Sequence, residues 1–182
     1  MLETTKDYGL FKEFMTDLLS PLTEFISNKD STGTEVQFRL LKAEISSWLC
    51  QMEYKTCQEK AGKIQKILET NDIKELREGF RDSELCLAVK HGHEDVWLKV
   101  FKFFKQSKSI EEKSKYLRSL GCTSYVWLLN RYLHLMNEPD SGLLRQDGLR
   151  LYQAATQTPV GIYVAWNTFR TSWKVWKNFS DL

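Results

Sequence analysis

Apolar residues recur along this chain at intervals of three and four, and the breakers that would interrupt such a pattern are rare. Phe38, Leu41, Ile45 and Trp48 form one stripe, and Trp97, Val100, Phe101 and Phe104 a second. Val126, Leu129, Leu133 and Met136 form a third, and Ile162, Ala165, Trp166, Phe169, Trp173 and Trp176 the widest. A period near 3.6 puts each set on one face of a helix. No strand-like alternation lasts more than a few residues. Three prolines and nine glycines are too few to turn a β-sandwich at every strand end. The expected fold is all-α, a single domain over residues 1–182 with about nine helices of roughly 12–20 residues. Short connections make consecutive helices antiparallel. Stacked helical hairpins in a HEAT/armadillo-like α-solenoid are therefore expected, with an irregular bundle as the alternative.

Helix ends can be read locally. Ser109-Ile110-Glu111-Glu112 has the form of a capping box, Thr123 and Asp140 are candidate N-caps, and Thr158-Pro159 offers a cap followed by proline. Glu94 and Asp95 precede Lys99, Lys102 and Lys105, the charge order a helix dipole favours. Asn28 to Glu35 reads as a loop between the first two helices. Trp48, Trp97, Trp166, Trp173 and Trp176 fall on apolar stripes and are expected in the core; Trp127 lies off-stripe.

The chemistry of catalysis is missing from this pattern. His91-Gly92-His93-Glu94-Asp95 resembles a metal site only superficially. A zinc-protease helix needs H-E-x-x-H, and here the second ligand position is Trp97. A turn joining two helices is the expected role of His91 and His93. His134 lies opposite the third stripe and is expected at the surface. There is no G-x-S-x-G elbow, no phosphate-binding P-loop and no G-x-G-x-x-G. Net charge is +2, which gives no case for binding nucleic acid or coating an anionic membrane. No apolar run is long enough to cross a bilayer, and Met1–Leu10 lacks the features of a signal peptide. Cys50, Cys57, Cys86 and Cys122 contain no C-x-x-C pair. They fit either buried thiols in a cytosolic protein or two disulfides in an oxidising compartment. The sequon Asn178-Phe179-Ser180 makes Asn178 a glycosylation candidate.

Several segments, in order, resemble the C-terminal helical domain of the aminopeptidase N family, the zinc-dependent gluzincin aminopeptidases. They are Leu40-Leu41-Lys42-Ala43-Glu44-Ile45, Leu85-Cys86-Leu87-Ala88, Gly121-Cys122-Thr123, Trp127 to Leu133, and Leu144-Arg145-Gln146-Asp147. Val160-Gly161 with Ala165-Trp166-Asn167-Thr168-Phe169 and Ser172-Trp173 is similar to the family's G-x-x-x-A-W-x-F-x-x-x-W stretch. The resemblance covers most of the chain and is densest from residue 84 to 178.

By that resemblance, Cys50 pairs with Cys57 and Cys86 with Cys122. Seven residues of continuous helix would span about 10 Å, too far for a disulfide, so a helix must end near Gln51 to Thr56. This turn lacks the glycine and proline common in relatives. The family's zinc helix and catalytic residues belong to a separate upstream domain, so the resemblance implies zinc in a parent enzyme and not in this chain. It also implies that the chain itself is non-catalytic, enclosing an active site and helping select peptides. Arg131, Arg145 and Gln146 match family positions and are the peptide-binding candidates; a structural role in tying helix ends competes for Arg145 and Gln146. The partners implied are an aminopeptidase catalytic domain and peptide substrates, with self-association through an exposed apolar face. The alternative is a stand-alone, non-enzymatic interaction module. Location is extracellular or secretory for the first reading, and cytoplasmic for a free-standing copy without a leader.

Overall fold

The α2–α3 corner shows how local sequence sets this architecture. Helix α2 (Val36–Gln51) ends one residue past Cys50, and α3 (Lys55–Thr70) starts two before Cys57. Between them Glu53 takes a left-handed conformation, φ 59°. The reversal brings the Cα atoms of Cys50 and Cys57 to 5.2 Å, and a disulfide joins them. A second disulfide ties Cys86 to Cys122, Cα–Cα 5.4 Å. These are the two pairs the resemblance implies.

The computed structural model describes residues 4–28, 36–70, 80–138, 140–144 and 147–173, without the side chains of residues 24 and 26–28. Among the described residues there is no strand. The remaining helices are α1 (Tyr8–Asn28), α4 (Asp82–His91), α5 (Glu94–Gln106), α6 (Ile110–Leu120), α7 (Val126–His134), α8 (Asp147–Ala155) and α9 (Pro159–Thr171). Helices α4, α6, α7 and α8 have 10, 11, 9 and 9 residues, shorter than the expected range, because close-set caps and turns cut them. Ser109 Oγ accepts from the Glu112 N–H and starts α6, and Thr158 Oγ1 accepts from the Gly161 N–H behind Pro159 at the start of α9. Gly92 and His93 form the expected turn between α4 and α5. Two expected caps are corrected. Tyr125 holds the N-cap position of α7, and Thr123 Oγ1 instead accepts from the Tyr125 N–H two residues on. Asp140 lies in a turn well before α8, which begins at Asp147.

Neighbouring helices pack as hairpins, α1 on α2, α3 on α4, α5 on α6 and α7 on α8. Alternate helices also touch: α2, α4, α6 and α8 in sequence, α3 with α5, and α7 with α9. Two layers result, even-numbered and odd-numbered, an arrangement compatible with stacked hairpins. The core between them is built from fully buried Ile64, Leu68, Leu85, Val100, Leu120 and Leu128, and the buried thiols are all in disulfides. Polar groups that enter it are satisfied. Trp97 Nε1 donates to the Leu120 carbonyl at 3.0 Å, and Tyr132 Oη donates to the Leu117 carbonyl at 2.7 Å. Burial, with the Asp147 charge, pushes the Tyr132 phenol far above its ordinary range. Buried Glu84 accepts from Lys60 Nζ at 2.6 Å and from the Arg81 N–H at 2.9 Å.

Several expected core positions are corrected. Trp97 is 1% exposed, but Trp48, Trp166 and Trp173 are 39%, 60% and 54% exposed. Leu41 and Val126 are half exposed as well. All lie on α2, α7 or α9 and their flanks, on helix faces that no described helix covers. Trp127, off-stripe, is also exposed. Trp176 and most of the Asn28–Glu35 loop lie outside the described residues.

Candidate functional site

A cavity of about 590 Å³ opens on the even-numbered layer. Its walls come from Ser47, Cys50 and Gln51 at the end of α2, Asp82, Ser83, Cys86, Leu87 and Lys90 along α4, and Arg118 and Ser119 at the end of α6. Cys122 and Ser124 close one side, and the α8–α9 turn, Gln157 to Val160, closes another. Both disulfides reach this wall, so the cross-links that fix α2 to α3 and α4 to the α6–α7 turn also fix the cavity.

The lining sets small hydroxyls, amides and a few charges among apolar groups, Leu87, Pro159, Val160 and the disulfide sulfurs, which make up the larger part of its surface. The Arg118 guanidinium pairs with Asp82, both about half exposed. Lys90 donates to Glu53 Oε1 at 2.8 Å, and Glu53 also meets Lys12 at 3.4 Å and His91 at 3.3 Å. Burial pushes the Glu53 carboxyl up, but the Lys90 hydrogen bond and the charges of Lys90, Lys12 and His91 outweigh it, so the group is held below the ordinary glutamate range. Hydroxyls and amides can serve a peptide main chain as donors and acceptors, and Lys90 and Arg118 carry charge that a carboxylate could meet.

The residues singled out from sequence do not gather here. Arg131 is exposed on α7, and its guanidinium lies over the rings of Trp97 and Phe101 at 5.5 and 6.0 Å. It does not line the cavity. Arg145, Gln146 and Asn178 lie outside the described residues. Lys90, Arg118 and Asp82 were missed, because on one-dimensional reading each is an ordinary helix-end charge; only the stacking of α2, α4 and α6 brings them together. Among the described residues the donors present do not fit a metal. The cysteines are oxidised in pairs, His91 faces Glu53, His93 Nδ1 is 3.1 Å from Tyr125 Oη, and exposed His134 turns onto the Asn130 carbonyl. Among the described residues no three histidine, cysteine or acidic groups converge.

Comparison with known proteins supplies the context for this cavity. Residues 1–181 match the family model described as ERAP1-like C-terminal domain. Aminopeptidase N of Bos taurus is 26% identical over 186 residues, covering 100% of this chain and 19% of the relative. Aminopeptidase N of Homo sapiens is 24% identical over the same span and coverage. The thyrotropin-releasing hormone-degrading ectoenzyme of Homo sapiens is 25% identical over 183 residues, 96% of this chain and 17% of the relative. The chain spans about a fifth of the length of these curated relatives.

Proposed function

This chain belongs to the ERAP1-like C-terminal domain family, and on that premise we propose that it serves as the non-catalytic helical domain of an aminopeptidase N-like enzyme, closing over a neighbouring active site and helping to bind and select peptides. The observation that supports this is a cavity of about 590 Å³ whose walls include both disulfides and set hydroxyls, amides, Lys90 and Arg118 among apolar side chains. A recess that sets main-chain hydrogen-bond partners, two basic groups and Asp82 among apolar side chains suits a peptide segment, which carries both backbone polar groups and side chains. The reading rests on Lys90 and Arg118, which line the cavity, rather than on Arg131, which does not. The zinc and the bond-breaking groups would belong to the catalytic partner. An extracellular or secretory location goes with this reading, since the relatives include a named ectoenzyme and the cysteines are paired.

Titration of a labelled unfolded peptide into the 182-residue chain tests it. Binding is expected, weakened at least fivefold by Lys90→Ala with Arg118→Ala. No binding, or binding indifferent to both substitutions, overturns the reading. The chain with added zinc is expected to release no product from aminoacyl-anilides.

One observation favours the second reading, a stand-alone interaction module. Helix α1 presents Leu10, Phe14, Leu18 and Leu22 in an exposed stripe at four-residue spacing. Such a stripe suits a protein partner. Mixing the chain with a catalytic domain of the family separates the readings: association with altered peptide turnover supports the enclosing domain, and association without any change in turnover supports the module.

A further inference from the structure

The odd-numbered layer carries a charge pattern that the net value of +2 conceals. Residues 60–68 of α3 and 96–108 of α5 and its exit hold seven lysines and no acidic residue. Helices α3 and α5 pack side by side, so these two acid-free segments share one face of the molecule. The lysines recur every three residues on both: Lys60, Lys63 and Lys66, then Lys99, Lys102 and Lys105. A rise of 1.5 Å per residue sets the first and last of each trio about 9 Å apart along its helix.

Most of this charge is available. Lys63, Lys66, Lys102, Lys105 and Lys108 are exposed. Lys60 reaches Glu84, but among the described residues the others of the seven have no acidic partner within 4 Å. The pattern extends onto α7. Phe101 has Lys105 Nζ 5.2 Å from its ring centroid, and the exposed guanidinium of Arg131 at 6.0 Å. The even-numbered layer differs: there Arg118 pairs with Asp82 and Lys90 with Glu53.

A lysine row could simply complement the C-terminal ends of its helices, but that needs one or two cations in the last turn. Here the lysines run well beyond the last turn and occupy two neighbouring helices; Glu59 and Glu69 flank the α3 row, and among the described residues only Lys60 of the seven is ion-paired. Such a surface concentrates polyanions. The paired cysteines point to an oxidising compartment, where extended polyanions are chiefly sulfated polysaccharides. We propose that the face formed by α3, α5 and Arg131 of α7 is a binding surface for a sulfated polysaccharide. It lies on the layer away from the cavity and does not depend on the peptide reading.

Titration of the 182-residue chain with a heparin oligosaccharide at about 0.1 M ionic strength tests it. Binding is expected, falling steeply as salt rises. The quadruple change Lys63→Glu, Lys66→Glu, Lys102→Glu and Lys105→Glu is expected to weaken it at least a hundredfold. The neutral Gln version, which spares the helix ends, should weaken it at least tenfold with an unchanged circular dichroism spectrum. The control pair Arg39→Glu and Lys42→Glu, on α2 of the other layer, should change it less than threefold. Absence of binding, equal loss in the control, retention by the folded Gln version, or tighter binding to anionic phospholipid vesicles or RNA than to heparin would each overturn the assignment.

Discussion

Helices α3 to α6 and the helices at the two ends obey the same sequence rules but are buried to very different degrees. Ile64, Leu68, Leu85, Ala88, Val100 and Leu120, all in the middle, are 0% exposed. At the ends, α1 exposes Phe14 and Leu18, and α9 exposes Tyr163 and Trp166. A middle helix such as α4 has a hairpin mate and same-layer neighbours on both sides, α2 and α6, whereas α1 packs chiefly on α2, and α9 has a same-layer neighbour, α7, on one side only among the described helices. Stability in such an array is close to a sum of neighbour terms. The middle should therefore carry most of the folding free energy, and the end helices most of the surface open to other molecules.

The largest expected effect concerns the disulfide that ties α4 to the turn after α6. Cys86 and Cys122 are 36 residues apart and Cys50 and Cys57 only 7. In the chain-entropy account, replacing the long bridge by alanines costs roughly 4 kcal/mol and the short one roughly 2.5 kcal/mol. Urea unfolding of the two double variants checks the order; a larger loss from the short bridge would break the comparison. Next comes one chemical deletion made twice. Leu85→Ala is expected to cost about 3 kcal/mol because it opens a void in a fully buried site. Leu18→Ala removes the same atoms from a side chain 55% exposed and should cost under about 0.5 kcal/mol. Similar losses at both sites would mean that α1 is as much core as α4.

Gly161→Ala should break one end while sparing the middle. A Cβ added there would overlap the Ala155 carbonyl oxygen, a backbone atom that cannot swing aside. The contact is where α9 folds back on the end of α8. The expected cost is about 2 kcal/mol. Hydrogen exchange should speed up in α9 while amides of α4 and α6 keep their protection, because an end helix can detach alone.

How much of this was legible in the sequence also divides along the same line. Trp97 and Trp166 both sit on clear apolar stripes, yet one is sealed and the other open. Periodicity reports that a helix has an apolar face, and whether a neighbour covers it depends on the order of the stack. Helix starts at Ser109 and Thr158 were readable because a cap acts within three residues. The turn between Cys50 and Cys57 could be located from the reach of a disulfide, but not its means. Glu53 adopts the left-handed conformation that glycine usually supplies, and carries an ion-pair hub that glycine could not. The cavity was invisible for a different reason: its charges come from residues 82, 90 and 118, which no local pattern links. Balanced composition likewise hid the lysine-rich layer, since a net charge sums over faces that never meet the same partner.

Glu53 joins the two regions and gives the smallest and sharpest test. Lys12 comes to it from α1, an end helix, and Lys90 and His91 from α4 in the middle. Its folded acidity constant lies below the ordinary glutamate value of 4.5: burial raises it, and the Lys90 hydrogen bond with the three neighbouring charges more than offsets that. A depressed carboxyl stabilises the fold above the unfolded value, and that contribution is lost as pH falls through the folded one. Glu53→Gln should therefore cost about 1 kcal/mol at neutral pH, and the gap from the parent chain should close as pH drops below about 4.5. Glu53→Gly removes the same ion pairs but relieves the left-handed backbone, so it should be more stable than the Gln variant by about 1 kcal/mol at every pH. Thermal unfolding of the three chains between neutral and acidic pH checks both statements. If the hub is what clamps α1 to the middle, exchange in α1 should quicken in both variants. A Gln variant whose deficit persists unchanged into acid would mean that the side chain holds the corner by shape rather than by charge.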